Sequence, residues 1–487
     1  MEHQINGMAT SIRNKLGSLD VSHRLSHHCI YKVPEHIRKE KEECYRPSII
    51  SIGPIYYGDP SLQAMQELKL MHLKCFLQQG NNAYNIEHYI NVIHGWEEEA
   101  RSYYAEKISL SSNEFIEMIL VDATFLIYLF MLSSSHVFLE KQPVEGNVQM
   151  LLYLEKDLCL EENQVPFFIL KGLYDLAFGK IYPFTSFIDV TSVFISYGCF
   201  RGRMTPNTTI CDNILGASKI NHIVDLLRIA GLPSNLRGHV LNKNQDYPQF
   251  PLSVTELSAV GVKFMATKCK IFDIRFVDGA LEIPTFTIRE TAEAVFRSII
   301  FYEQCHYFHD SYFIDYIYFL HKLIKTPGDV QILVKNGIID NWLGSEEEVV
   351  NLFHVIVKQI VLYLPNFYYS DVSRDLNAFA NTSWNRWKTV LRKDYFNHPW
   401  SCISVIYAVV LLILTLLQTI CSSFTCDSLL QEIFNDRSCP ISLRNEKVMA
   451  ILRKIVEIGI SSRVRPGRFS LGDAFFSQAI LIFTPGF

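Results

Sequence analysis

Residues 115–132 read FIEMILVDATFLIYLFML, and this apolar run supplies a centre around which a folded body can be assembled. Only two of its side chains, Glu117 and Asp122, carry charge, and each carboxylate would be costly at the centre of a lipid bilayer. The run therefore predicts a helix buried in the core of a folded body. Asp122 then needs a buried polar partner, because an isolated charge in an apolar interior is strongly disfavoured.

Residues 157–170, DLCLEENQVPFFIL, place acids and amides in similarly apolar surroundings. Asp157 and Glu161 lie four residues apart on one face of a helix, so they could form a paired-carboxylate acid/base or metal site. Alternatively, Glu161 and the amides of Asn163 and Gln164 bind backbone groups within a buried polar network. Both interpretations stay open from the sequence. The network interpretation involves five side chains: Asp122, Asp157, Glu161, Asn163 and Gln164.

Composition limits the class of protein. The chain has 487 residues, 49% of them apolar, which is enough for one large or two ordinary domains with a sizeable core. A formal net charge of −5 gives no basic footprint, so we expect no nucleic-acid partner. Twelve cysteines are scattered without CxxC pairs, which is typical of reduced thiols in a reducing compartment. The first 25 residues lack the apolar run of a secretory signal, although their composition leaves a transit peptide open.

The periodicity of apolar residues predicts a mainly α-helical body. Helical spacing runs through most of the chain, as in residues 61–79. Residues 271–276 and 281–288 instead alternate apolar with polar side chains, and an Asp-Gly pair between them is typical of a tight hairpin turn. Pro284 lacks a backbone donor, so it predicts that the second strand lies at a sheet edge. We therefore expect a small β-hairpin inserted into a helical body.

Near the C-terminus, residues 400–424 read WSCISVIYAVVLLILTLLQTICSSF and contain no charged side chain. About 20 apolar residues suffice for a helix to cross a bilayer, so the stretch predicts one transmembrane helix. The alternative is a second buried core helix. If the stretch spans a membrane, everything before it is a large tethered body.

Basic residues precede this apolar stretch, whereas the first basic residue after it is Arg437. Such residues stay on the cytoplasmic side, so the body should be cytosolic, and we expect the plasma membrane rather than an endomembrane. Each juxtamembrane cation is also worth about 1 kcal/mol toward anionic lipid, although the cations could serve as a topology signal alone. Trp400 should lie at the headgroup level. The membrane flank thus comprises Arg386, Lys388, Arg392, Lys393 and Trp400.

Known catalytic motifs are not found in the sequence. His306 and His309 have a spacing that could hold a metal, but no second ligand pair with fitting spacing accompanies them, and His27-His28-Cys29 is typical of a surface run. There is no GxxxxGK, no GxGxxG after a strand, no GxSxG and no HExxH. We therefore expect no metal or other cofactor and no enzymatic activity.

Eight stretches and Lys69 have a characteristic order and spacing. The stretches are IYKVPEHIR at 30–38, CYRPSIISIGPIYYG at 44–58, VDATFL at 121–126, DLCLEENQVPFFIL at 157–170, LEIPTFTI at 281–288, FYEQC at 301–305, TPGDVQILVKNGIIDNWLGSEEEVVNLF at 326–353 and DYFNHPW at 394–400. Together they resemble a plant family named only as domain of unknown function 247, from about residue 27 to residue 420. The resemblance implies a mostly helical plant protein with a C-terminal membrane helix and no established enzymatic activity. Some grass relatives are tied to self-incompatibility, which implies recognition or signalling.

The expected organisation has four parts: a polar, mobile segment over 1–26, the helical body over 27–398, the transmembrane helix over 400–424 and a tail over 425–487. The tail is a departure from the family, and Cys426 and Cys439 could pair if it is lumenal. We expect a single-pass membrane protein that acts in interaction or signalling, with lipid and an unidentified protein as partners. The alternatives are a hydrolase or transferase at the membrane surface that uses Asp122, Asp157 and Glu161, or an oligomerising scaffold.

Overall fold

A computed structural model describes residues 2–17, 28–81, 83–134, 148–197, 219–233, 248–382 and 407–417 of the chain. The chain divides into two compact units, Met1–Leu391 and Arg392–Phe487. The described part of the second unit is a single apolar helix, Tyr407–Leu417.

Helices dominate the N-terminal half of the first unit, as the periodicity predicts. Residues 2–17 of the polar N-terminal segment form a helix whose side chains are largely exposed. Short 3-10 turns cover Glu42–Cys44 and Pro60–Met65. The helices of this half are α1 (Glu2–Gly17), α2 (Glu35–Arg38), α3 (Gln66–Gln79), α4 (Ile86–Ser102), α5 (Ser112–Ser134), α6 (Val148–Leu158), α7 (Phe167–Phe178) and α8 (Phe187–Tyr197).

Helix α5 is the centre of this half, and it confirms the prediction from residues 115–132. Its side chains are buried without interruption from Ile119 to Phe130, and it packs against α3, α4, α7 and α8. Among the described residues it is the one helix long and apolar enough to cross a membrane, but 83% of its most apolar window is buried inside the protein. A helix that is apolar on all sides is stable in water only when neighbours surround it in this way.

The C-terminal half of the first unit combines helices with two small sheets. Its elements are α9 (Ile223–Gly231), α10 (Val254–Ala259), β1 (Lys263–Thr267), β2 (Arg275–Val277), β3 (Ala280–Pro284), β4 (Phe286–Ile288), α11 (Ala292–His306), α12 (Tyr312–Leu323), α13 (Pro327–Lys335), β5 (Ile339–Asn341), α14 (Glu346–Val357) and α15 (Ser370–Asn381). The predicted hairpin is present as β2 and β3. Its turn residues Asp278 and Gly279 both have positive φ, as the favoured two-residue hairpin turn requires.

The predicted edge position of Pro284 is wrong. β3 is the central strand of the three-stranded sheet, with β1 parallel on one side and β2 antiparallel on the other. Pro284 is tolerated because it is the last residue of β3, whereas β2 begins at Arg275 opposite Glu282, so no strand residue faces Pro284 on that side. The expected second strand also ends early, because β4 belongs to a separate sheet in which it pairs with β5.

Truncation of α5 tests its place in the core. Leu126 is fully buried, so Leu126→Ala should lower the free energy of unfolding by about 2–5 kcal/mol through lost burial and a residual cavity. The matched control is Glu117→Ala on the same helix, where the side chain is exposed. Chemical denaturation of the full chain in detergent measures both. Equal stability of the two variants would contradict a buried α5.

Candidate functional site

Most of the acids and amides predicted from the sequence bind one segment of the backbone, residues 33–53. The polar loop, defined as residues 157–164, comprises the last two residues of α6 and the segment that follows them toward α7, and it faces the arm, defined as residues 33–53. The arm contains only α2 and a 3-10 turn as regular structure, so many of its backbone N–H groups have no helix or strand partner. Side chains from the polar loop and α5 accept hydrogen bonds from these groups.

Asp157 binds three consecutive backbone groups of the arm. Its carboxylate accepts hydrogen bonds from the N–H groups of Ser48, Ile49 and Ile50, at donor–acceptor distances of 2.7–3.1 Å. Lys156 lies 3.4 Å from the same carboxylate. Burial raises the pKa of Asp157, and these N–H groups and Lys156 act in the opposite direction because they favour the charged form.

The two amides of the polar loop use both ends of their side chains. Asn163 Oδ1 accepts from the Ile52 N–H at 2.7 Å, and its Nδ2 donates to the carbonyl oxygens of Ile50 and Asp157. Gln164 Nε2 donates to two carbonyl oxygens of its own loop, and its Oε1 accepts from the N–H of Ile223 at the start of α9. The amides therefore tie the polar loop to the arm and to α9.

Glu162 belongs to the same network, although the five-residue prediction omitted it. Its carboxylate accepts from the Val33 N–H at 2.6 Å, from the Tyr56 hydroxyl at 2.5 Å and from the guanidinium of Arg38. The sequence signal that could have found it is its position between two predicted members of the network. Three acceptor contacts explain how this carboxylate is tolerated in a site from which water is excluded.

Asp122 has the buried partner that the sequence required. Lys69 of α3 donates to its Oδ1 at 2.6 Å and also to the carbonyl oxygen of Ser51, while the Gly53 N–H donates to Oδ2 at 2.8 Å. Gly53 has φ of 76°, and a Cβ there would overlap the carbonyl oxygen of Gln164. Only glycine therefore fits where the arm passes between α5 and the polar loop.

Glu161 is the exception within the polar loop. Neither of its carboxyl oxygens accepts a hydrogen bond of normal geometry, and the nearest cationisable group is His222 Nε2 at 3.9 Å. Burial raises the pKa of Glu161 well above its ordinary value, with the Tyr31 N–H acting in the opposite direction and Asp225 adding to the rise. Burial also lowers the pKa of His222 to about 3, and its Nε2 contacts the Cys29 carbonyl oxygen at 3.0 Å. Burial therefore favours the neutral form of both the Glu161 carboxyl and the His222 imidazole.

The paired-carboxylate site does not assemble in this geometry. Asp157 binds the arm, whereas Glu161 faces His222 of α9's N-cap, so the two carboxyls engage different parts of the body. Both are essentially inaccessible to solvent. General acid/base chemistry needs a group within hydrogen-bond reach of a substrate. The observed arrangement is instead the buried polar network, with Glu162, Lys69 and Arg38 as additional members.

The other candidate residues do not converge on a site. The ring of His306, at the end of α11, packs 4.9 Å from Tyr302, whereas that of His309 packs 4.6 Å from Tyr363. Within the described ranges no group of three or more His, Cys, Asp or Glu side chains could hold a metal ion. Several predicted positions lie outside the described residues: His27, Arg386, Lys388, Arg392, Lys393, Trp400, Cys426 and Cys439.

Comparison with known proteins places the chain in a family. The profile of DUF247, described as a plant protein of unknown function, matches residues 30–414. The chain belongs to the DUF247 family. This match confirms the resemblance found in the sequence, and it includes the arm, α5 and the polar loop. The tail over 425–487 lies beyond the matched DUF247 residues.

Two relatives from Arabidopsis thaliana match along most of their length. The UPF0481 protein At3g47200 is 26% identical over 417 residues, which cover 80% of this chain and 85% of the relative. The putative UPF0481 protein At3g02645 is 21% identical and covers 80% of this chain and 89% of the relative. No solved structure shows significant similarity to the chain.

Removing the cation from the Asp122 site should be strongly destabilising. Lys69→Met leaves a buried carboxylate without its ion-pair partner, and we expect a loss of about 3–5 kcal/mol in the free energy of unfolding. Adding Asp122→Asn should recover part of this loss, because the amide oxygen still accepts from Gly53 without a net charge. Urea unfolding of both variants measures the difference. A double variant no more stable than Lys69→Met would show that the charge is not the cause.

Glu161 should make stability depend on pH. Its folded-state pKa is raised, so above the ordinary glutamate value the unfolded state releases the proton first, and the folded state loses relative stability as pH rises. Glu161→Gln cannot titrate. We therefore expect its stability relative to the native chain to grow as pH rises above the ordinary glutamate pKa of about 4.5. Denaturant unfolding at several pH values measures this trend, with the exposed Glu117→Gln as control. Parallel pH profiles for Glu161→Gln and the native chain would contradict it.

Proposed function

We propose that this DUF247 protein is anchored in a membrane by residues 400–424 and uses its helical body to bind a protein partner. The main support for a membrane anchor is the helix Tyr407–Leu417. Its large apolar side chains are about half exposed or more, with relative exposures of 47–67%. A contiguous apolar surface of this kind on a soluble monomer is rare, and it marks a membrane or protein contact.

The length of the apolar stretch over residues 400–424 is sufficient for a transmembrane helix. Eleven residues of helix are about 16 Å long, roughly half of a bilayer's hydrocarbon core. The uncharged stretch over 400–424 has 25 residues, which as a helix would reach about 37 Å and cross the core. The basic flank before the stretch favours a cytosolic body, and we extend the proposal to that orientation and to the plasma membrane.

The interior of the body supports a binding role over catalysis by its carboxylates. Asp122, Asp157 and Glu162 are each occupied by backbone or cationic donors, and Glu161 is sealed from solvent. A membrane-surface hydrolase or transferase would need at least one of these groups in an open cleft. We therefore propose recognition or signalling for the body. The alternative role of this protein as an oligomerising scaffold stays a prediction.

The anchor is tested by placing charge in the exposed helix. Leu412→Arg with Leu414→Arg should oppose insertion by about 5–7 kcal/mol, because each arginine at a helix centre costs about 2.5–3.5 kcal/mol. The matched control is Leu70→Arg, since Leu70 is also half exposed but lies on α3 of the body. The measurement is the fraction of protein that stays with membranes after an alkaline wash.

We expect the native chain and Leu70→Arg to remain with membranes and the double variant to be released. In the native chain, an N-terminal tag should be digested by added protease and a C-terminal tag protected. A native chain that is soluble would overturn the anchor. A protected N-terminal tag would overturn the orientation alone.

A further inference from the structure

Helix α1, over Glu2–Gly17, presents a largely exposed apolar face. Ile5, Met8, Ile12 and Leu16 are 51–62% exposed, although each is a large apolar side chain. With 3.6 residues per turn, these four and Ala9 fall within an arc of about 100° around the helix. These five residues are termed the stripe. A surface helix normally buries a stripe of this width against a neighbour.

The sequence of α1 gives the helix little stability by itself. Asn6, Gly7, Thr10 and Asn14 all have low helix propensity. Isolated helices of about 12–15 residues are marginal in water even when they are rich in alanine. The 16-residue α1 should therefore be most stable where another surface covers its stripe.

Two cations border the stripe. At about 100° per residue, Arg13 lies beside Ala9 at one edge of the stripe and Lys15 lies beside Met8 at the other. Residues 4–17 contain no aspartate or glutamate. Arginine and lysine can keep their apolar stems on an apolar layer while their charged ends reach its polar surface. An apolar stripe between two cations therefore complements the interface of an anionic membrane.

A second copy of α1 complements the stripe less well. A coiled coil needs apolar positions sustained over about three to four heptads, whereas the 16 residues of α1 span little more than two. In a parallel pair, the bordering cations of the two helices would also lie close together. No acid within residues 4–17 is available to pair with them.

We propose that α1 lies in the surface of an anionic membrane, with the stripe among the acyl chains and with Arg13 and Lys15 contacting the headgroups. This contact rests on the proposed function, because the anchor over residues 400–424 is what keeps a membrane within reach of the body. It adds a second, reversible membrane contact near the other end of the chain, and it requires anionic lipid rather than any bilayer.

The test measures how fast trypsin cleaves after Arg13 and Lys15. The full chain is reconstituted into vesicles of phosphatidylcholine alone or of phosphatidylcholine with phosphatidylserine, and the released N-terminal peptides are quantified by mass spectrometry. We expect cleavage to be at least about fivefold slower in the phosphatidylserine vesicles, since each cation near an anionic surface contributes about that factor. The difference should shrink as salt is added, because salt screens the attraction to the headgroups.

Two matched variants separate the stripe from the rest of the helix. Ile12→Ser with Leu16→Ser removes half of the large apolar side chains of the stripe and should abolish the protection. Asn6→Ser with Asn14→Ser places two serines outside the stripe and should retain it. All four positions are exposed, so both variants should keep the melting temperature of the native chain.

Equal cleavage rates in the two kinds of vesicle, or protection that survives Ile12→Ser with Leu16→Ser, would overturn the proposal. Protection that depends on protein concentration rather than on lipid would also overturn it and would identify a second copy as the occupant of the stripe. Failure of the anchor has a separate readout, which is loss of the native chain from membranes during the alkaline wash. The soluble chain is then mixed with the same vesicles, and slower cleavage with phosphatidylserine would still support the contact of α1.

Discussion

Hydrogen bonding from the backbone of the arm to side chains of the polar loop is the interaction on which the rest of the body depends. A buried N–H group without an acceptor costs as much as a lost hydrogen bond, and the arm reaches full burial at Ile50 and Ile52. Among the described residues, no strand pairs with the arm at these positions. Asp157 and Asn163 provide the acceptors instead, so two side chains do for the arm what a paired strand would do in a sheet.

This arrangement places negative charge in the interior, and the rest of the network can be understood as its compensation. Lys69 and Arg38 supply cations to Asp122 and Glu162, while consecutive N–H groups of the arm surround Asp157. Buried ion pairs contribute little net stability, since desolvation offsets most of the attraction. Their effect is on specificity, because displacement of the arm would leave carboxylates without donors. The network therefore favours one position of the arm over alternatives with similar apolar burial.

The sequence predicts that the buried carboxylates need hydrogen-bonding partners, but it does not identify which groups those partners are. Carboxylates within apolar runs show that Asp122 and Asp157 must be paired when buried. The partners are backbone groups of residues 48–53, which lie 69 to 109 positions away along the chain and look like those of any other segment. Local signals succeed where the interaction is local, as with the Asp278-Gly279 turn. They fail at Pro284, because the parallel neighbour β1 has no signature in the sequence of β3 itself.

Helix α5 shows how a single polar residue can decide where an apolar helix lies. Helix α5 carries Asp122, and the donors that satisfy it, Lys69 and the Gly53 N–H, are found only inside the folded body. A bilayer could offer neither donor, so α5 is stable where the arm can reach it. Residues 400–424 contain no charged side chain and so make no such demand on a protein neighbour. Length and hydropathy alone favour a membrane for both stretches, so the burial of α5 within the body depends on the donors that satisfy its carboxylate.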